Sequence, residues 1–299
     1  METELYVVTG ATGNIGKKVA EGLLAKGKKA RVVGRNQKNL EPLVRKGAEA
    51  FVGDVQDPAT VQKAFTGAKA VFLLIPPNFQ SEKFRAYYNN VSESYAQAIR
   101  ETGVRYAVSI SSVGAQLADK NGPIGGLHDN EQRLNKIEGL NIVHLRPAFF
   151  MENFLQNVGL IKQKGIAGTP LKADLPIAMI ATKDIAAKAV ELLTHLDFKG
   201  KSVLELLGNK DVTMNEAVRA LGQAIGKGGL PYVQFPYEDA QKAMTSMGIS
   251  QDLARLFIEM YKGFNDGIVI PTEKRSAKNT TPTSIEEYAK EFAQVYNAN

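Results

Sequence analysis

The stretch TGATGNIG, Thr9 to Gly16, sets glycines three residues apart at Gly10, Gly13 and Gly16. A short apolar run, LYVV, precedes it. Behind it, Ile15, Val19, Leu23 and Leu24 fall on one helical face. A glycine turn between strand and helix lets the backbone approach a pyrophosphate with no Cβ in the way. The helix start then offers free N–H groups and a partial positive charge. This context predicts a dinucleotide cradle built from Gly10, Thr12, Gly13, Asn14, Ile15 and Gly16. The alternative is a tight turn in some other α/β protein.

The end of the second strand selects the dinucleotide. It reads VVGRNQK, with Arg35 after Gly34 and Lys38 close behind. No carboxylate appears before Glu41, so nothing reads the free ribose hydroxyls of NAD. A guanidinium can instead bind a 2′-phosphate in a forked, charge-assisted geometry. NADP(H) is therefore expected over NAD(H); the alternative is a surface arginine. In GDV, Asp54 and Val55 are expected beside the adenine, although an aspartate here could equally cap a loop or helix. In LIPP, Ile75 and Pro76 are expected where the chain passes the cofactor, with prolines that stiffen the edge.

The elements around these residues alternate. LYVVTG, ARVVG, EAFVGDV, AVFLLIPP and RYAVSISS read as strands, each followed by a helical pattern. NIVHLRP and SVLELLG extend the series to seven. Such βα alternation predicts a doubly wound parallel sheet, a Rossmann-type α/β fold. The dinucleotide-binding core is expected over residues 1–150, with elements near 180–225 returning to it. Residues 151–180 and 226–299 are expected to form a smaller, mostly helical substrate lobe. Thr213-x-x-Glu216 and Thr283-x-x-Glu286 read as capping boxes.

The chain has 299 residues, enough for one large unit or two coupled ones. It has no cysteine, which excludes disulfides, thiolate metal sites and a cysteine nucleophile. The three histidines are far apart and no carboxylates cluster at ligand spacing, so no metal site is expected. No apolar run approaches a membrane span and no signal peptide opens the chain, so a cytoplasmic protein is expected. The net charge is +6, but the basic residues are scattered, so no nucleic-acid partner is expected. The oligomeric state is not legible.

The segments TGATGNIG, VVGRNQK, GDV, SISS, LRPAFFMENF and TKDIAAKAV, in that order, resemble the NmrA-like branch of the atypical short-chain dehydrogenase/reductases. The tail NTTPTSIEEYAKEF is similar as well, so the resemblance covers nearly the whole chain. It implies an NADP-binding Rossmann domain with a small C-terminal substrate lobe. Some members reduce quinones or azo dyes; others bind the nucleotide as redox sensors without known catalysis.

The classical reaction of short-chain dehydrogenases uses Tyr-x-x-x-Lys, and none of the ten tyrosines here has lysine four positions later. Ser111 stands where the resemblance expects an active-site serine. In GLHDNEQRLNK, His128 and Glu131 share a helix face, and this His-x-x-Glu is similar to the quinone-reducing members. His128 is thus the candidate proton donor; otherwise it caps the helix start or touches the cofactor without titrating. His144 reads as a packed strand residue, and His195 as a helix-end cation. Arg146 and Pro147 are expected at the nicotinamide half. Phe149, Phe150, Met151 and Phe154 are expected to wall a flat apolar pocket, or else to form core between the lobes. Two functions follow: an NADPH-dependent reductase of a quinone-like or other planar electrophile, or a non-catalytic NADP(H) sensor acting on a protein partner. In the first case the partner is a small-molecule electron acceptor.

Overall fold

The structure, a computed structural model, describes residues 4–298. Along the chain run β1 (Leu5–Val8), α1 (Asn14–Ala25), β2 (Lys29–Gly34), α2 (Gln37–Val44), β3 (Glu49–Val52) and α3 (Pro58–Phe65). Next come β4 (Ala68–Leu73), α4 (Phe84–Thr102), β5 (Tyr106–Ile110), α5 (Gly125–Asn135), β6 (Asn141–Pro147) and β7 (Phe149–Phe150). Then follow α6 (Val158–Lys164), β8 (Ala167–Thr169), β9 (Ile177–Ile180), α7 (Thr182–His195) and β10 (Lys201–Leu206). The last elements are β11 (Asp211–Val212), α8 (Met214–Ala224), β12 (Tyr232–Gln234), α9 (Tyr237–Ser246), α10 (Gln251–Asn265) and α11 (Ile285–Ala298).

Seven strands form one parallel sheet in the order β3-β2-β1-β4-β5-β6-β10. The chain reverses its winding between β1 and β4. Both faces are covered, which is why these strands read as continuous apolar runs rather than alternations. Tyr6, Val8 and Phe72 pack with Val19 and Leu23 of α1 and with Ile185 and Leu193 of α7. Val7, Val71 and Leu73 face the other way, against Phe65 of α3 and Val91 and Tyr95 of α4. This is the doubly wound Rossmann-type fold that the βα alternation predicts.

Beyond β6 the chain builds a second core. Met151, Phe154, Met179, Met214, Leu221, Tyr288 and Phe292 pack together. This lobe contains a three-stranded sheet, β11-β9-β7, and a two-strand pair, β12-β8, as well as helices. Of the later elements, α7 and β10 return to the main sheet, and Leu253 and Leu256 of α10 join the core on its other face. The expected return of residues up to 225 is therefore too long, because Ala217, Val218 and Leu221 of α8 bury their side chains in the lobe core.

The second capping box is also corrected. Thr213 and Glu216 cap α8 reciprocally. At α11 the box is Ser284 with Glu287, not Thr283 with Glu286. Thr283 is engaged elsewhere. Its backbone N–H and hydroxyl donate to the Asp184 carboxylate of α7, at 3.0 and 2.8 Å. A second carboxylate, Glu205 of β10, is fully buried and accepts from the N–H groups of Thr272 and Glu273 and the Thr272 hydroxyl. These two acceptors hold the strap 267–284 across the end of β10.

Candidate active site

The glycine turn divides its three residues by role. Gly10 adopts φ 63°, which other side chains resist. A Cβ on Gly16 would lie 2.3 Å from Gly10 O, so the turn itself requires that glycine. A Cβ on Gly13 would meet only Gly10 O, at 3.4 Å. The turn leaves Gly13 bare and exposed where it opens α1. That helix has no side-chain N-cap and no acidic residue in its first turn, so its leading N–H groups are open to an anion. Thr12 and Asn14 are exposed beside it, while Ile15 is packed inward. The residues present therefore fit a pyrophosphate.

Beneath the turn, the buried Thr9 hydroxyl lies 3.1 Å from both Phe72 O and Leu74 O, and accepts from Leu74 N–H at 2.9 Å. Tyr95 donates to the same Leu74 carbonyl at 2.9 Å. These bonds lock the exits of β1 and β4 together. Ile75 is buried there and Pro76 half-buried.

Beyond β2, Arg35 and Lys38 are exposed, and no hydrogen bond or ion pair engages either side chain among the described residues. Asn36 between them caps α2 through Lys38 N–H. Asp54 accepts from Gln56 N–H at 2.9 Å, the loop-capping alternative, and Val55 is buried. Tyr87 of α4, which sequence reasoning missed, donates to Pro76 O at 2.8 Å. Its pKa is raised, by burial first and by Asp54, while Arg35 opposes the shift. Tyr87 is thus tied to the end of β4 and lies within electrostatic reach of Asp54 and Arg35, beyond the ends of β3 and β2.

The other half of the sheet carries a buried ionic cluster. Glu131 of α5 is 1 % exposed and Arg146 of β6 is 8 % exposed. The Arg146 Nε and Nη2 donate to the two oxygens of Glu131 at 2.9 and 2.6 Å. Ser111, just past β5, donates to the same carboxylate at 2.5 Å. Ser111 and Arg146 therefore share Glu131, which the His-x-x-Glu pattern had placed on one helix face with His128. The Glu131 signal was present, but its partner lies on another element.

Lower down, His144 Nε2 donates to Asn135 Oδ1 at 2.9 Å. The pairs Asn135–His144 and Glu131–Arg146 show that α5 runs antiparallel to β6. One helical turn further lies His128, past the C-terminal edge of the sheet. Its Nδ1 is 2.9 Å from Ala115 O. A carbonyl only accepts, so Nδ1 carries the hydrogen. Among the described residues Nε2 has no partner, and it is not sealed from solvent. His144 differs: burial pushes its pKa down to about 4, and its Nδ1 is buried without a partner.

The aromatic run divides too. Phe149, Met151 and Phe154 are buried in the lobe core, the alternative of a core between lobes. The expected four-residue wall reduces to Phe150, which is half-buried against the sheet cluster. Pro147 is buried at the end of β6 and its carbonyl accepts from Val113 N–H at 3.0 Å. Among the described residues, no group of carboxylates and histidines could hold a metal ion, and no helix is long and apolar enough to cross a membrane.

A winding reversal between β1 and β4, with an open helix N-terminus at its edge, defines a dinucleotide-binding α/β protein. The chain belongs to the NmrA-like family, whose model matches residues 2–289. It is similar to the NAD(P)H azoreductase of Xenophilus azovorans, 28 % identical, covering 98 % of this chain and 97 % of that one. It is also similar to quinone oxidoreductase 2 of Escherichia coli, 23 % identical, covering 92 % and 93 %. The solved NADPH-dependent quinone oxidoreductase of E. coli superposes with a TM-score of 0.76 at 23 % identity, over 96 % of this chain and 98 % of that one. The triphenylmethane reductase of Citrobacter sp. superposes with a TM-score of 0.80 at 20 % identity, over 97 % and 99 %. These likenesses are of fold.

Proposed function

We propose that this protein, an NAD(P)H-dependent oxidoreductase, prefers NADPH and reduces a quinone-like or other planar electrophile. The observation that carries the reading is the open N-terminus of α1 at Gly13, with the unengaged Arg35 and Lys38 beyond β2. The helix N–H groups would take the pyrophosphate, and the two cations the 2′-phosphate. When bound, the reduced nicotinamide supplies a hydride. Ser111, His128 and Arg146, on β5, α5 and β6 or just beyond them, are the residues that would line the nicotinamide half. Phe150 would offer an apolar edge to the acceptor.

No Tyr-x-x-x-Lys pair delivers a proton here. His128 is the candidate in its place. With Nδ1 held by Ala115 O, its Nε2 is the nitrogen free to exchange a proton with the product or with water. The test is to mix pure protein with NADPH and a panel of quinones and azo dyes, and to follow nicotinamide absorbance. Acceptor-dependent oxidation is the expected outcome. Tight NADPH binding with no oxidation by any acceptor would favour a nucleotide sensor instead.

A further inference from the structure

Arg146 engages Glu131 side-on, through Nε and Nη2. Among the described residues the third nitrogen, Nη1, has no hydrogen-bond partner, yet it is not sealed from solvent. The rest of the guanidinium is immobilised. Glu131 grips it with both oxygens, and Ser111 fixes Glu131 in turn. A buried arginine with one free edge is therefore held at the C-terminal end of β6. That is where ligands of open α/β sheets bind.

We infer that Arg146 Nη1 recognises negative charge that develops on the acceptor. The inference rests on the reductase reading above and deepens it, by naming the charge class of the substrate. Hydride addition to a neutral quinone or azo compound forms a C–H, O–H or N–H bond and leaves an anion; the nicotinamide is oxidised in the same step. Water or His128 then supplies the proton. A donor pair fixed beforehand stabilises that anion more than the neutral ground state. A triphenylmethane cation behaves oppositely. Hydride addition to its central carbon gives a neutral product, so no anion develops for Arg146 Nη1 to stabilise. The chain is thus built for neutral acceptors that become anionic. Glu131 and Ser111 act as positioning residues.

Two arms test this. The first is binding, with NADP+ present, of 4-nitrophenolate and of neutral 4-nitroanisole, above the pKa of the phenol. The wild type should bind the anion at least about tenfold more tightly, as a charge-assisted hydrogen bond does. Arg146→Lys should retain part of that preference. The double variant Glu131→Gln/Arg146→Met removes both charges together, which buried pairs often tolerate, and should abolish it. The second arm compares turnover of menadione with that of a cationic triphenylmethane dye. The double variant should lose roughly ten- to a hundredfold in the menadione-to-dye ratio. A general loss of packing would lower both rates and leave the ratio unchanged. Equal affinity for the two nitro compounds in the wild type, or an unchanged turnover ratio, overturns the inference. An anion preference in a wild type that reduces nothing would sustain the anion site while defeating the reductase reading.

Discussion

Asp184 and Thr283 lie ninety-nine positions apart and meet through two hydrogen bonds to one carboxylate, both buried. Asp184 belongs to the first turn of α7, which covers the sheet; Thr283 precedes α11, which closes the lobe. The pair is a weld between the two bodies. Asp184→Ala leaves a buried N–H and a hydroxyl unsatisfied. A loss of about 2–3 kcal/mol is expected, measured by urea denaturation. Asp184→Asn, which keeps one acceptor, should cost less.

Arg35 sets the nucleotide preference. NADPH should bind roughly ten- to a hundredfold more tightly than NADH. Arg35→Ala should erase most of that difference and spare NADH. Titration of both nucleotides at fixed ionic strength checks it. Equal affinities in the wild type would defeat the argument.

The glycines of the turn should separate fold from ligand. Gly16→Ala drives a Cβ into Gly10 O and should lower the melting temperature. Gly13 meets no such clash, so Gly13→Val should fold and yet weaken NADPH and NADH alike. Undiminished binding by Gly13→Val would remove the turn from the phosphate site.

His128→Phe should lower turnover roughly ten- to a thousandfold with NADPH affinity nearly unchanged. Stopped-flow binding and steady-state rates on one preparation decide it. Wild-type turnover in the variant would leave water as the proton source.

His144 should make stability depend on pH. Its folded pKa is pushed down to about 4 from the ordinary 6.5. Between those values the unfolded chain takes the proton and the folded chain does not. Stability therefore falls as pH drops through that window, by up to roughly 3 kcal/mol. Denaturation midpoints at pH 7 and 4.5 should differ more in the wild type than in His144→Asn.

The main sheet was legible because its central strands are buried on both faces, so their apolar runs need no partner to be recognised; the edge strand β3, which has no buried residue, is marked instead by its place in the alternation. The cradle was legible because a turn and the helix behind it are adjacent in sequence. Elsewhere, local patterns competed. TSIEE offers both Thr283-x-x-Glu286 and Ser284-x-x-Glu287. Asp184 decides between them by claiming Thr283 from a distant helix. Spacing linked Glu131 to His128, whereas a strand fifteen residues further on supplied Arg146. Of the aromatic run, composition showed only that it is apolar. Which side chains are sealed depends on α8 and α11, whose docking no local pattern records.

The strap across β10 also makes the sheet's last strand depend on residues far along the chain. Six strands of the sheet are complete by Pro147, but the seventh, β10, arrives only after part of the lobe has been synthesised. Even then Glu205 is a charge facing the interior with its donors still unmade, because Thr272 and Glu273 come later in the chain. A nascent or clipped chain ending before residue 272 thus carries a bare carboxylate at the sheet edge. Although β10 is laddered to β6, its buried carboxylate is satisfied only when a segment sixty-seven positions later docks on it, which ties the edge of the sheet to the strap.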